Sequence, residues 1–148
     1  MKKLTLLLLT VLLCGSLFAQ ETEAGDAIIG IYKAHHKGSD YKVRITKKQD
    51  GTYRAQVIYL SDVVDERTGE KRKDVKNPNK ALRDVPCDRI VLMDGIQYIP
   101  EKQQWGNTKI YDPQSGIRVN AYMRLSDRVL SVRGQVLGIG QTIYWTKQ

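Results

Sequence analysis

The sequence predicts an all-β protein, an antiparallel meander of about eight strands that closes into a small barrel. Hydrophobic and polar residues alternate with a period of two, as in residues 41–46, 53–59 and 117–125. Short turns rich in Gly and Asp separate these runs, as at residues 49–51 and 112–116. Local hairpins favour an antiparallel meander, and closing it into a barrel removes the exposed edge strands.

The first 19 residues have the pattern of a secretory signal peptide. Met1-Lys2-Lys3 is a positive start, residues 4–13 are almost entirely aliphatic, and Ala19 ends the segment at a plausible cleavage point. We therefore expect an exported protein, periplasmic or secreted, with a single β-barrel domain over residues 20–148. Anchoring through a lipid on Cys14 is not favoured, because Leu13 precedes it where a lipoprotein signal has a small residue.

The composition of residues 20–148 fits one domain without cross-links. These residues carry 22 Lys and Arg against 16 Asp and Glu, a net charge of +6. Cys87 is their only cysteine, which excludes an internal disulfide and leaves its own role undetermined. No run of like charge has the length of a nucleic-acid arm, and no segment after the leader predicts an integral membrane protein.

Eight strands account for the alternating runs and the turns between them. Residues 95–99 and 105–111 count together as one hairpin in this number, and counting them separately gives nine. The predicted strands cover residues 26–33, 40–48, 52–60, 89–93, 95–99 with 105–111, 116–125, 128–135 and 140–147.

The segment from residue 61 to residue 86 is too long for a tight turn and too charged for a buried strand. Within it, residues 77–83 predict one or two helical turns, with Asn77 as the cap and Pro78 at the first helical position. Val75 and Leu82 are expected to hold this piece against one end of the barrel. We interpret the whole segment as a lid or rim rather than a linker.

Four motifs in the same order resemble a bacterial exported family known only as domain of unknown function 2147. They are D-x-x-N-P-x-x-x-L-R at residues 74–83, KIYDPQSG at 109–116 followed by Tyr122, LSVRG at 130–134, and the closing TIYWT at 142–146. The chain departs from the family pattern in having no early Trp and no Cys in its third strand. The resemblance implies a lipocalin-like or calycin-like small barrel and no particular activity.

Arg133 is the first candidate for a ligand-binding residue. One interpretation is structural, with the Arg133 guanidinium lying over the Tyr32 ring at the closed end of the barrel. The other places Arg133 in the cavity, where it would bind a carboxylate or phosphate with help from Tyr122 or Tyr111. The sequence leaves both open.

Other candidates are aromatic or lie at the expected barrel mouth. Tyr41, Tyr59, Tyr122 and Trp145 fall on strands where they either line a cavity or belong to the core. The predicted cavity wall consists of Val43, Val57, Val119, Met123 and Trp145. The predicted rim residues are Asn77, Pro78, Leu82, Arg83 and Asp112.

No pattern in the sequence predicts catalysis, a metal site or a cofactor. Asp112 supplies one carboxylate to residues 112–116, which is too few for calcium. His35 and His36 are adjacent and would point to opposite faces of a strand, so we place them in a solvated turn. No nucleophile lies next to a base in the sequence.

These observations predict a binding protein for a small amphipathic or apolar molecule. The alternative is a structural or interaction protein of the cell envelope, which would dock through the rim segment and have no ligand cavity. A hydrolase is the least favoured hypothesis. A cavity of about 300 Å³ or more would favour ligand binding. The sequence does not determine the ligand, the oligomeric state or the physiological role.

Overall fold

A computed structural model describes residues 23–148, so the predicted signal peptide and Cys14 lie outside the described residues. Over residues 23–148 the chain forms eight antiparallel strands, each paired with the next, and the last pairs with the first to close a barrel. This arrangement confirms the predicted fold. The strands are β1 (Gly30–His36), β2 (Ser39–Lys47), β3 (Tyr53–Leu60), β4 (Val91–Ile99), β5 (Gln104–Asp112), β6 (Ile117–Ser126), β7 (Val129–Val136) and β8 (Ile139–Lys147).

Two strands differ from their predicted bounds by more than one residue. The runs 89–93 and 95–99 form the single strand β4, because Gly95 takes a φ of +69° and the register with β3 shifts instead of breaking. Strand β1 starts at Gly30 and continues to His36, rather than covering residues 26–33. This shift brings His36 into the sheet.

One end of the barrel is closed by the segment that precedes β1. The Trp105 indole N–H donates to the Gly25 carbonyl over 2.9 Å, and the Tyr53 hydroxyl donates to Asp26 over 2.7 Å. Ile28 of this segment is fully buried, and its carbonyl accepts a hydrogen bond from Tyr32. These contacts seal the closed end with side chains from three parts of the chain.

Large side chains fill the inside of the barrel next to this closed end. Trp145 packs between Tyr32 and Tyr41, at ring-centroid distances of 6.5 and 6.4 Å. Fully buried residues around it include Val43, Ile45, Met93, Ile96, Met123 and Leu130. The packed core therefore occupies one part of the barrel and leaves the interior near the other end open.

The opposite end carries three tight turns, at residues 37–38, 113–116 and 137–138, and the long segment between β3 and β4. This rim segment contains two short 3₁₀ helices, Lys80–Leu82 and Cys87–Arg89. The first is capped by Asn79, whose side chain accepts from the Ala81 N–H, and not by Asn77 as predicted. The helix begins two residues later than expected, and the Asn77 side chain accepts from the Asn79 N–H in a separate turn ahead of it.

The predicted apolar attachment of the rim segment is also wrong. Val75 and Leu82 are exposed, whereas the polar residues Asp74 and Asn77 are buried. Among residues 23–148, no helix is long and apolar enough to cross a membrane.

Candidate functional site

A cavity of about 670 Å³ lies at the end of the barrel that carries the rim segment. Strands β3, β4, β5, β6, β7 and β8 each contribute apolar side chains to its wall. The wall includes Val57, Leu92, Ile110, Val119, Val132 and Ile143. The volume falls within the range of small-molecule sites in proteins, and such sites are mostly apolar.

The charged side chains at the mouth of the cavity are paired with one another. Arg72 donates to the carboxylate of Asp62 over 2.7 Å and also to the Asp62 backbone carbonyl. Lys37 lies 3.2 Å from the carboxylate of Asp112. Because each cation at the mouth already has an anionic partner, the site offers little excess charge to a ligand.

Tyr41 offers a neutral donor inside the cavity. Its hydroxyl oxygen accepts a hydrogen bond of 2.9 Å from the Trp145 indole N–H. No acceptor for the Tyr41 hydroxyl hydrogen is found in the part of the chain that the structure describes, so the hydroxyl is available to donate a hydrogen bond to a ligand. Burial raises the pKa of Tyr41, which keeps the phenol protonated at neutral pH.

His36 lines the mouth of the cavity on the neighbouring strand. On β1 it follows Tyr32 and Ala34 on the inward face, since alternate residues of a strand share one face. Burial is the main cause that lowers the pKa of His36, and the positive charge of Lys37 lowers it further. The imidazole is therefore neutral at pH 7. The sequence interpretation of a solvated turn missed this residue because the predicted β1 ends at residue 33 and the observed strand ends at His36.

A buried polar network attaches the rim segment to the barrel. The Tyr111 hydroxyl of β5 donates to one carboxylate oxygen of Asp74 over 2.6 Å, and the Asn77 amide donates to the other over 2.7 Å. The Arg83 guanidinium donates to the Asn77 backbone carbonyl over 2.8 Å. Burial of the phenol and the adjacent Asp74 both raise the pKa of Tyr111. The D-x-x-N-P-x-x-x-L-R motif thus holds the rim in place.

A second contact fixes the rim segment against the turn between β5 and β6. The Lys76 ammonium donates to the Gln114 carbonyl over 2.6 Å. Gly116 has a φ of +75°, and a Cβ at this position would collide with the Lys76 carbonyl. Asp112 accepts from the Gln114 N–H and from the Ser115 hydroxyl, which makes residues 112–116 a compact turn.

Cys87 lies at the base of the rim segment and contributes to the cavity lining. Burial is the main cause that raises the pKa of its thiol, with Asp74 adding to the effect. A raised pKa keeps the thiol protonated and poorly nucleophilic at neutral pH. Cys87 is therefore a small apolar part of the wall.

Some of the sequence-predicted residues line the cavity and others do not. Tyr111, Asp112, Val57 and Val119 are on its lining. Val43, Met123 and Trp145 are fully buried in the packed core next to the closed end and do not reach the cavity. Their inward orientation was predictable from alternation, but their depth along the barrel axis was not.

Arg133 lies on the outer face of the barrel. It shares that face with Ser131, opposite the buried Leu130 and Val132. Its side chain crosses Gly140 on β8 and donates to the Thr142 hydroxyl over 3.4 Å. This position corrects both expectations for Arg133, because it neither lines the cavity nor covers the closed end.

Other aromatic predictions need similar corrections of position. The cation over the Tyr32 ring is Lys147, at 5.8 Å from the centroid. Tyr122 is paired with Arg133 in the register of β6 and β7 and does not line the cavity. Tyr59 is exposed on the outer face, beneath the Lys42 ammonium.

Some of the predicted rim residues hold the segment in place and others are exposed. Asn77 and Arg83 belong to the buried network that holds the segment, and Pro78 lies between Asn77 and Asn79, the cap of the first 3₁₀ helix. Leu82 is exposed. The sequence analysis did not single out Asp74, because its partner Tyr111 is 37 positions away along the chain.

Within residues 23–148, no group of three or more His, Cys, Asp or Glu side chains is arranged to hold a metal ion.

Comparisons with known proteins agree with this geometry. No curated protein matches the chain. Among solved structures, the chain is similar to protein HP1028 from Helicobacter pylori, which is described as belonging to the lipocalin family. The two share 20% sequence identity over 82% of each chain, with a TM-score of 0.65, so the likeness concerns the fold. Residues 30–147 match the model of a family described as an uncharacterized protein conserved in bacteria, DUF2147, and the chain belongs to this family.

Proposed function

We propose that this protein is an exported, non-enzymatic carrier or sensor of a small apolar or amphipathic molecule. The observation that carries the proposal is the open cavity of about 670 Å³ in the barrel. The alternative of a structural envelope protein expects an interior filled by its own side chains. A lipocalin-like fold and an apolar cavity of this size both support ligand binding over that alternative.

The polar groups of the cavity support a ligand with a neutral head. Arg72 and Lys37 are engaged by Asp62 and Asp112, so a ligand carboxylate would have to compete with an existing ion pair. Tyr41 can instead donate a hydrogen bond to a carbonyl, ester or ether oxygen. We therefore expect an apolar body that packs on the wall and a neutral acceptor near Tyr41.

The first experiment is native mass spectrometry of the protein purified from its own host, followed by extraction of any bound molecule. A stoichiometric small molecule is the expected result. A clean apo mass that does not change after exposure to an envelope lipid extract would contradict the carrier proposal. Because Arg133 lies outside the cavity, Arg133→Ala should retain the bound molecule.

A second experiment tests the cavity directly with the neutral fluorescent probe N-phenyl-1-naphthylamine. Val119→Trp places a large ring on the cavity wall and should weaken probe binding by about tenfold or more, since it removes the space the probe needs. Tyr122→Trp is the matched control, because it puts the same residue on the same strand outside the cavity. Equal affinity in the two variants would refute the assignment of this cavity as the binding site.

Tyr41→Phe separates the role of the neutral donor from the role of the cavity. The variant keeps the ring and removes only the hydroxyl that faces the interior. Binding of the extracted molecule should weaken by about five- to tenfold if its head accepts a hydrogen bond from Tyr41. Binding of N-phenyl-1-naphthylamine, which has no oxygen acceptor, should stay within about twofold of the parent.

A further inference from the structure

The hairpin between β7 and β8 exposes large apolar side chains at its tip. Leu137 is 98% exposed and Ile139 is 82% exposed, and Val136 is half exposed. Leu137 and Gly138 both have positive φ values, +49° and +81°, which form a tight two-residue turn. Asn or Asp is the usual residue in the first position of such a turn. An exposed leucine there indicates that the tip meets an apolar environment.

The hairpin tip also extends beyond its neighbour in the barrel. Strand β1 pairs with β8 only at Tyr32 and Lys33, opposite Lys147 and Thr146. Continuing this antiparallel register places the last residue of β1 opposite residue 143. Residues 139–142 are therefore held in the sheet only by β7, with Arg133 lying across Gly140 on the outer face.

Strands β6 to β8, which carry this tip, have a net positive charge, although Arg124, Arg128 and Lys147 lie toward the closed end. Residues 117–148 contain five Lys and Arg and one acidic residue, a net of +4 out of the +6 carried by residues 20–148. The acidic residue, Asp127, is in the turn between β6 and β7 at the closed end. Arg118 and Arg133 belong to the half of this sheet that is nearer the tip, and residues 134–146 are uncharged. An apolar tip backed by cations matches an anionic lipid surface.

The same tip borders the cavity. Val136 and Ile139 lie on the cavity lining, as does Ile117 at the start of the adjacent strand β6. A surface that receives the hairpin tip would therefore also face the cavity mouth. We propose that the β7–β8 hairpin docks the cavity mouth on an anionic lipid bilayer, with Leu137 entering the apolar layer and Arg118 and Arg133 near the lipid phosphates. This docking does not depend on which molecule the cavity binds.

Vesicle co-sedimentation tests the proposal with the chain from Gln20 onward, so that the aliphatic residues 4–13 do not contribute. We expect binding to phosphatidylcholine vesicles that contain about 30% phosphatidylglycerol, and weaker binding to phosphatidylcholine alone. Leu137→Asp should lower the partition coefficient by about tenfold or more, because a carboxylate replaces the inserted side chain. Asp tolerates the positive φ of this position, so the turn should still form.

Val129→Asp is the matched control. It makes the same change of charge on the same sheet, at an exposed position at the opposite end of β7. It should bind vesicles within about twofold of the parent protein, a margin that covers the effect of one added negative charge on binding to anionic lipid. Urea unfolding of both variants checks that the barrel is intact.

Three results would overturn the proposal. The parent protein could fail to bind anionic vesicles, or the two variants could lose binding equally, in which case charge alone would explain the effect. The parent could also form a dimer in solution that Leu137→Asp dissociates. The apolar tip would then be covered by a second copy of the chain rather than by lipid.

Discussion

Tyr111→Phe is the sharpest test of how the rim segment is held over the cavity. The change removes one oxygen atom and leaves the ring in place. In the structure the Tyr111 hydroxyl donates to Asp74 over 2.6 Å, and both residues are only 2% exposed. Water therefore cannot replace the lost donor without a local opening of the rim.

The size of the effect follows from the burial of the carboxylate. A hydrogen bond to a charged acceptor contributes about 1.5–3 kcal/mol, and the lost donor leaves the Asp74 carboxylate with the Asn77 amide as its remaining side-chain donor. We expect the free energy of unfolding to fall by about 2 kcal/mol. For a domain of this size the midpoint temperature should then fall by about 6–10 °C.

Urea unfolding followed by tryptophan fluorescence measures this loss, because Trp105 and Trp145 are both buried in the barrel. Tyr59→Phe is the control, since it removes the same oxygen from an exposed ring on the outer face. The control should change the free energy of unfolding by less than about 0.5 kcal/mol. Limited trypsin digestion should cut the rim segment of Tyr111→Phe faster than that of the parent.

A double-mutant cycle assigns the loss to the hydrogen bond itself. In an Asp74→Ala background, Tyr111→Phe should cost less than about 0.5 kcal/mol, because the hydroxyl no longer has its acceptor. A cost near 2 kcal/mol in both backgrounds would show that the hydroxyl acts elsewhere. A parent-like stability of the single variant Tyr111→Phe would refute the reasoning altogether.

Three further predictions concern titratable groups of the barrel. Binding of the neutral probe should weaken as the pH falls below about 6.5, because protonation of His36 puts a positive charge at the mouth of the apolar cavity. In a fluorescence titration, His36→Gln should remove this pH dependence. Burial raises the pKa of Tyr32 to about 12, so the contribution of its neutral phenol to the free energy of unfolding is complete below pH 10 and is lost as the pH rises toward 12. In urea unfolding, the free energy of unfolding of Tyr32→Phe should therefore fall less over that pH range than that of the parent. Cys87 should react with a thiol reagent more slowly than a free cysteine at pH 8, and bound ligand should slow the reaction further, as measured by mass spectrometry.

The barrel could be predicted from the sequence because its strands are defined locally. A period of two needs only the residues of one strand, and the tight turns need only their own Gly, Asn or Asp residues. The error at β4 has the same local origin. The sequence prediction breaks the strand at residue 94, whereas the positive φ of Gly95 lets the strand continue through a bulge.

The candidate site could be predicted only in part, because it depends on the depth of each side chain along the barrel axis and on contacts between residues that are far apart in the sequence. Alternation already put Arg133 on the face opposite Leu130 and Val132, and the structure places it there, on the outside. The anchoring role predicted for it rests on the chemistry of its guanidinium rather than on this alternation. Met123 shows the second limit, because it does face inward but lies in the packed core instead of the cavity.

The rim segment shows why sequence order alone could not complete the site. Its charge predicted an exposed lid, and most of its residues are indeed exposed, yet the residue that fixes it is a buried aspartate. A carboxylate without partners would oppose burial, so Asp74 can be buried only where the Tyr111 hydroxyl and the Asn77 amide meet it. This arrangement requires β5 to be in place in the sheet, since β5 brings Tyr111 to the rim. The shape of the cavity mouth therefore depends on a pairing that exists only in the folded chain.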